Sequence, residues 1–334
     1  MIRSILLACL PLVFLIYKDN RSISLEQVAE LDFGPWGLVL SADWAADGRY
    51  FAVAAGNEVS LYRPGDLQRV ARWQVGALTP ALAFSPDGRY LAAGSRDGLV
   101  RIWDVSNLQQ SSPLAAFQAH RKGVNSLVFS SDGQFLATGG SDAVARMWDA
   151  SSGQLVQETL GGTYAVPAVA FIPGGEVLAV TNGGLVRLRE VKTRRILGTF
   201  RSETPLFSIT IGKGGAWLAA ADGENHVLRW DTSQSFRTGN EIFPVPLSLA
   251  PHTGNPETYQ GVVWRVRFSQ DSQYLGSTGG DGRLCLVDPD SWLVLVCQQA
   301  HTRGAAALAF NPDGRRILTG GLDGKARIWA IHSP

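Results

Sequence analysis

Short apolar stretches recur along this chain, each ended by a polar tight turn. Residues 84–104, FSPDGRYLAAGSRDGLVRIWD, show the pattern in small compass. PALAF (80–84) and YLAAGS (90–95) are apolar enough for burial on both faces, and LVRIWD (99–104) alternates with Trp103 on its packed side. The turns explain the breaks. Pro86 presets φ for the first central position, Asp87 favours the tight turn, and Gly88 accepts the positive φ of the bulge that follows. A fourth, more polar strand is expected at PLAAFQA, Pro113 to Ala119. The unit is four antiparallel strands.

The same cassette occurs seven times. WAADGRYFAV, FSPDGRYLAA, FSSDGQFLAT, FIPGGEVLAV, IGKGGAWLAA, FSQDSQYLGS and FNPDGRRILT begin at residues 44, 84, 129, 171, 211, 268 and 310, at spacings of 40, 45, 42, 40, 57 and 42. Such a period signals stacked supersecondary units and replaces the two domains that 334 residues alone suggest. One small sheet cannot close a core. Radial stacking buries both faces of each and leaves only short edges. The predicted fold is therefore all-β, a seven-bladed propeller over residues 23–333. The last unit lacks a fourth strand, and ISLEQVAEL (Ile23 to Leu31) precedes the first unit with no inner partners of its own. That segment is expected to complete the last blade. The long spacing places an insertion at about 239–260, rich in proline and aperiodic, which should hold an outer edge strand and flank one end of the ring. It could be a lid, a recognition loop or a tolerated insertion.

These repeats resemble the WD40 family over nearly all of residues 23–333. IWD at Trp103, MWD at Trp148 and RWD at Trp230 match its dipeptide signature, and IWA at Trp329 is a variant. Two units carry the family's stabilising tetrad: His120, Thr138, Asp142, Trp148, and His301, Thr319, Asp323, Trp329, with spacings of 18, 4 and 6 in both. The resemblance implies a structural role for these residues, since a buried Trp N–H and a buried carboxylate each need partners. Other units depart from the pattern. Ala93 stands at the Ser/Thr place of unit two, which also lacks the His. Tyr62 and Arg189 take the Trp place in units one and four, and Arg189 should snorkel or pair. Unit five keeps Trp230 with Glu224 near the turn position. Unit six keeps Ser277 and Asp281 but has Val287.

The resemblance also implies where a peptide would bind: one mouth of the central channel. The contact positions lie six and four residues before each turn-leading aromatic and one before the turn Asp. Among them are Leu38, Leu40, Arg96, Asn125, Phe207, Trp264 and Leu322. Trp264, Phe207 and Leu322 are the expected anchors, with Arg96 and Asn125 fixing orientation. Against this, Trp264 could simply pack under a loop.

Charge and chemistry narrow the function. The net charge of +1 supplies no field for nucleic acid, and Lys192, Arg194 and Arg195 read as a solvated outer turn. The predicted innermost strands carry one carboxylate, Asp43, and two further charges, Arg265 and Arg267. Neither metal-ligand spacing nor a nucleophile elbow or phosphate loop appears. The expectation is a non-catalytic, monomeric scaffold without a cofactor, binding a partner protein or peptide. The alternatives are a small-ligand sensor or hydrolase using Asp43, Arg265 and Arg267, and a regulatory module of a larger signalling protein. Cys285 and Cys297 sit on a hairpin turning near Pro289 and Asp290. In that register Cys285 faces about Val294, so both cysteines are expected to pack as small apolar residues. Residues 1–22 differ from the rest: Arg3 precedes an apolar run from Ile5 to Tyr17, short for a membrane span but suited to a signal-peptide core. Export or membrane association through residues 2–17 is expected. The alternatives are a loosely packed leader on a cytoplasmic protein and a remnant of a longer chain.

Overall fold

A computed structural model of the chain describes residues 23–160, 162–232, 246–254 and 260–333. Seven four-stranded antiparallel sheets form the blades. From the channel outwards, blade one runs Val39–Trp44, Phe51–Ala55, Glu58–Tyr62 and Arg69–Gln74. Blade two runs Ala81–Phe84, Tyr90–Gly94, Leu99–Asp104 and Ala115–Gln118. Blade three is Val124–Phe129, Phe135–Gly140, Val144–Asp149 and Leu155–Leu160; blade four is Val169–Phe171, Val177–Asn182, Leu185–Glu190 and Ile196–Arg201. Blade five is Leu206–Gly212, Trp217–Asp222, Val227–Asp231 and Leu247–Leu249; blade six is Val263–Phe268, Leu275–Gly279, Arg283–Asp288 and Leu293–Gln299. Blade seven is Ala305–Phe310, Arg316–Gly321, Lys325–His332 and then, from the other end of the fold, Ser24–Asp32.

Each innermost strand packs beside the next, and that of blade seven packs beside that of blade one, so the ring is closed. Buried apolar clusters fill the spaces between neighbouring blades. The third-strand aromatic of one blade meets the outer strand of the blade before it. Trp103 stacks on Trp73 with ring centroids 5.0 Å apart, Trp148 meets Phe117 at 4.7 Å, and Trp230 meets Phe200 at 5.8 Å. Side chains of the innermost strands add ties across blades. Ser41 and Asp43 of blade one accept the Leu82 and Phe84 N–H groups of blade two at 3.0 and 2.9 Å. Ser126 accepts from Val169 N–H, and Ser208 accepts from Val266 N–H.

The closing strand pairs antiparallel with Lys325–His332, from Ser24 opposite His332 to Asp32 opposite Lys325, with a bulge at Val28. Charge reinforces the seam. Glu30 accepts from Lys325 Nζ at 2.5 Å and from Arg327 Nε at 2.8 Å, and Glu26 meets His332 Nε2 at 2.8 Å.

Two expectations are corrected. Cys285 faces Cys297, not Val294, and the two form a disulfide with Cα atoms 4.1 Å apart. The loop between the paired Asp288 and Leu293 takes in Ser291 and Trp292 as well as Pro289 and Asp290. Leu295 is then bulged out, between the pairs Val287–Val294 and Leu286–Val296. Together these move the register by three. In blade five the turn carboxylate is Asp222, not Glu224. Asp222 is buried and accepts from Thr204 Oγ1 at 2.8 Å and from the N–H groups of Glu224 and His226. Asp222 is the last residue of the second strand, two positions before Glu224.

Lys192, Arg194 and Arg195 are exposed at an outer turn. The apolar leader, with the membrane association expected of residues 2–17, lies outside the described residues, as do 239–245 and 255–259 of the insertion. Among the described residues no helix is long and apolar enough to cross a membrane.

Candidate functional site

Five of the innermost strands begin with the same irregularity. The ladder to the second strand skips one residue: Leu40, Asn125, Phe207, Trp264 and Ala306 in blades one, three, five, six and seven. A bulge leaves its extra residue unpaired and re-aims the side chain. In blades two and four the equivalent positions, just before the strand, are Pro80 and Pro167, which have no N–H to leave unpaired. All seven residues, one per blade, line a single cavity of about 440 Å³ at the mouth of the channel, together with Arg96, Ser141, Leu322, Ala165 and Arg265. Trp264, Phe207, Leu322, Leu40, Arg96 and Asn125 are thus brought together. Leu38 is not. It precedes the bulged strand, its carbonyl accepts the Gly56 N–H at 3.0 Å, and the re-aimed Leu40 takes the cavity-facing place.

The floor of this cavity is Arg265. Its guanidinium crosses the channel from blade six to blade two, donating from Nη2 to Pro80 O at 3.1 Å and from Nη1 to Trp264 O at 3.3 Å. It also lines a second cavity in the channel, of about 250 Å³, together with Arg267. Burial pulls the Arg265 pKa down to about 10, and the nearby cations Arg267 and Arg96 act in the same direction. Asp43 lies below, near Arg267 at 3.5 Å, with its other oxygen on the Phe84 N–H. Burial pushes the Asp43 carboxyl up against the pull of Arg267. This carboxylate therefore joins blades and pairs with Arg267. Among the described residues no group of three or more His, Cys, Asp or Glu is placed to hold a metal ion.

Around the mouth, Asn125 is fixed on both sides. Its Oδ1 accepts from Ser141 Oγ at 2.9 Å and from Arg96 Nη1 at 3.3 Å, and its Nδ2 donates to Val166 O at 3.2 Å. Trp264 is half-buried. Its ring lies so close over Gly304 that a Cβ there would come within 2.2 Å of it. On its other side the ring borders a neighbouring depression lined also by Thr253, Gly254 and Gln260 of the insertion. The indole therefore packs on a loop and lines the mouth at the same time.

Sequence reasoning missed how this insertion is anchored. His252 meets Asp281 Oδ1 through Nδ1 and Ser277 Oγ through Nε2, both at 2.9 Å, and it is buried. Blade six thus has the His, Ser and Asp of the tetrad. The His lies 25 residues before Ser277, against 18 in the intact tetrads, because the insertion lengthens the approach. His252→Ala is expected to lower stability by about 2 kcal/mol, the cost of a charge-assisted bond and an orphaned buried acceptor. It should also speed proteolysis within 246–262. Urea midpoints and timed digests measure both, and an unchanged digest would mean that the insertion is held by other contacts.

In the two complete tetrads the chain of contacts is continuous. Trp148 Nε1 donates to Thr138 Oγ1 at 3.0 Å, Thr138 meets His120 Nε2 at 2.9 Å, and His120 Nδ1 meets Asp142 at 2.7 Å. In blade seven Trp329, Thr319, His301 and Asp323 make the same contacts at 2.9 Å each. An arginine four residues after the Asp completes each network. Arg146 Nη1 donates to Asp142 and Arg327 Nη1 to Asp323, at 2.8 and 3.0 Å. The signal was in the sequence, as an Asp and an Arg four apart in SDAVAR and LDGKAR, and again in RDGLVR of blade two. Where Ala93 and Ala220 replace the hydroxyl, the indole N–H groups of Trp103 and Trp230 are buried without an acceptor among the described residues.

Comparison with known proteins gives the following. A family model described as "WD domain, G-beta repeat" matches residues 79–104, 111–149, 251–288 and 293–330. The chain is similar to the DENN domain and WD repeat-containing protein SCD1 of Arabidopsis thaliana, at 30% identity over 245 residues, 73% of this chain and 19% of that protein. It is similar to Protein hir-1 of Neurospora crassa, at 30% identity over 147 residues, 38% of this chain and 14% of that protein. It also resembles WD repeat-containing protein VIP3 of Arabidopsis thaliana, at 26% identity over 170 residues, 50% of this chain and 52% of that one. The chain thus spans about a fifth or less of the first two relatives.

Proposed function

Because the chain belongs to the WD40-repeat family and folds as a seven-bladed propeller, we propose that it is a non-catalytic scaffold that seats a segment of a partner protein in the mouth of its channel. The observation that carries this reading is the ring of seven bulge or proline positions, one per blade, around a cavity floored by a single guanidinium. Its anchors are Trp264, Phe207 and Leu322, half-buried and set around the cavity. Large aromatic side chains in such a setting supply most of the energy in peptide recognition. The surrounding surface fits. Trp36, Tyr164 and Leu78 are 89%, 65% and 40% exposed, and all three lie on the connections that lead into innermost strands, where the mouth is built. Among the described residues, the other large exposed apolar side chains lie on or beside outer strands.

The test is the double variant Trp264→Ala/Phe207→Ala, used as bait beside the wild-type chain. Partner recovery should fall about tenfold or more, the loss expected for removing two anchors, while thermal melting shows a folded propeller. Unchanged recovery by a folded variant would overturn the reading. A second reading, a regulatory propeller working within a larger assembly, is favoured by the similarity to SCD1, whose name joins WD repeats to a DENN domain. It uses the same mouth.

A further inference from the structure

We propose that the partner segment carries an acidic side chain, whose carboxylate docks between Arg96 and Arg265 while apolar neighbours fill the rest of the mouth. This rests on the reading of the mouth as the partner site.

The charge balance of the cavity carries the inference. Two guanidiniums line it and, among the described residues, no carboxylate does. Arg96 is exposed, and its guanidinium donates to the neutral oxygen of Asn125. Arg265 spends two of its N–H groups on backbone carbonyls. A guanidinium has five, in a planar fork that matches a carboxylate. Acids on the neighbouring strands and turns are engaged elsewhere. Asp97 holds Arg101 and the Ser95 hydroxyl, and Asp43 faces Arg267. Arg96 and Arg265 line the same cavity, and Arg96 is close enough to disfavour the Arg265 charge. Two cations held together at the edge of a low-dielectric channel, with no anion of their own, form a receptor for one.

Exposed cations lie near the pair. Arg121 and Lys122 are exposed on the connection into blade three, the neighbour of blade two. Phe207, Trp264 and Leu322 then take the apolar residues beside the acid. The fitting sequence is an Asp or Glu with apolar residues adjacent, in an extended segment.

The experiment is selection of a phage-displayed random dodecapeptide library on the immobilised full chain, followed by fluorescence polarisation with the synthetic winners. Peptides whose binding is lost in the Trp264→Ala/Phe207→Ala variant are expected to carry Asp or Glu beside apolar residues. Arg96→Gln should weaken them about tenfold or more, the loss typical of a hydrogen bond between charged groups. Replacing the peptide's Glu by Gln should cost a similar factor. The two changes together should cost little more than either alone, because both remove one contact. Arg96 is exposed, so its replacement should leave the melting temperature unchanged, and Arg265→Lys gives a second variant that keeps charge but loses the fork. The proposal is overturned if the mouth-dependent peptides are neutral or basic, or if the Arg and Glu changes add independently. If no selected peptide depends on Trp264 and Phe207, the reading of the mouth as the partner site falls first, and this inference with it.

Discussion

Removing residues 23–32 should unfold the propeller under conditions in which the intact chain is folded. The strand Ser24–Asp32 makes eight register pairs with Lys325–His332. Ile23 and Leu25 pack on the cluster between blades six and seven, and Ala29 and Leu31 on that between blades seven and one. Glu30 is an ion partner of both Lys325 and Arg327. At about 0.5–1.5 kcal/mol for each net backbone hydrogen bond, together with the apolar contacts, the loss is on the order of 5 kcal/mol or more. That lies within the whole stability of an ordinary domain, about 5–15 kcal/mol. The loss is not confined to one edge, because blade seven is also the neighbour that closes blade one. The checks are urea unfolding and hydrogen exchange. The midpoint should collapse, and protection should vanish first in Lys325–His332 and then along Ala305–Phe310. A truncated chain with an unchanged midpoint would show that the ring is held by blade-to-blade packing alone.

Much of this fold was legible because its determinants are local and repeated. The Asp-Gly turns set where strands end, the 40- to 45-residue spacing counted the blades, and the missing fourth strand of the last unit pointed to Ile23 to Leu31. The two complete tetrads were legible for the same reason, since each has all four members at fixed spacing. What failed was register. A slip of one residue turns every side chain to the other face, and neither a longer loop nor the bulge at Leu295 leaves a mark in composition. Cys285 was therefore set against the wrong partner. The same physics excluded Leu38 from the mouth while admitting Leu40, because the bulge breaks the alternation between them. Arg265 was visible as a charge on an innermost strand. Its role as the floor was not, since it depends on reaching a carbonyl 185 positions away in sequence. His252 was hidden by the insertion that carries it.

The mouth shows how a repeat can build one asymmetric site. Every blade presents a residue at the same backbone position, so the geometry of the ring is set by the fold. The side chains at those positions are free to differ: Leu, Pro, Asn, Pro, Phe, Trp and Ala. The aromatic anchors fall in blades five and six, and the polar Asn125 with its neighbour Arg96 falls in blades two and three. Recognition of a directional segment requires such a division, and the scaffold supplies it without any departure from the repeat.

Asp323→Ala should be the most damaging single substitution, at about 3–5 kcal/mol, the range for stripping one partner from a buried charged network. Asp323 accepts from His301 Nδ1, Arg327 Nη1 and the Thr302 N–H. Its loss leaves Arg327, which is buried, with Glu30 as its remaining carboxylate, and so loosens the network that ties the blade to the closing strand. The pH dependence has a definite sign. Burial holds the His301 and His120 pKa values below the ordinary 6.5, outweighing the pull of their aspartates. Both rings are therefore neutral in the folded state. The unfolded chain takes up their protons first, so this contribution is complete above about pH 6.5 and is lost as pH falls below it. Burial pushes the Asp323 carboxyl up, but His301, Arg327 and the Thr302 N–H together outweigh it and hold it below 3.8. Its contribution is lost as pH falls through that region. Wild-type stability should thus decline on the acid side of pH 6.5, and steeply below 4. The gap between wild type and Asp323→Ala should be widest near neutrality and narrow as pH falls below 3.8, where the unfolded carboxyl takes up a proton before the folded one does. Urea midpoints of both proteins from pH 3 to 8 measure this, and a gap that stays constant across the range would show that Asp323 acts through packing and not through its charge.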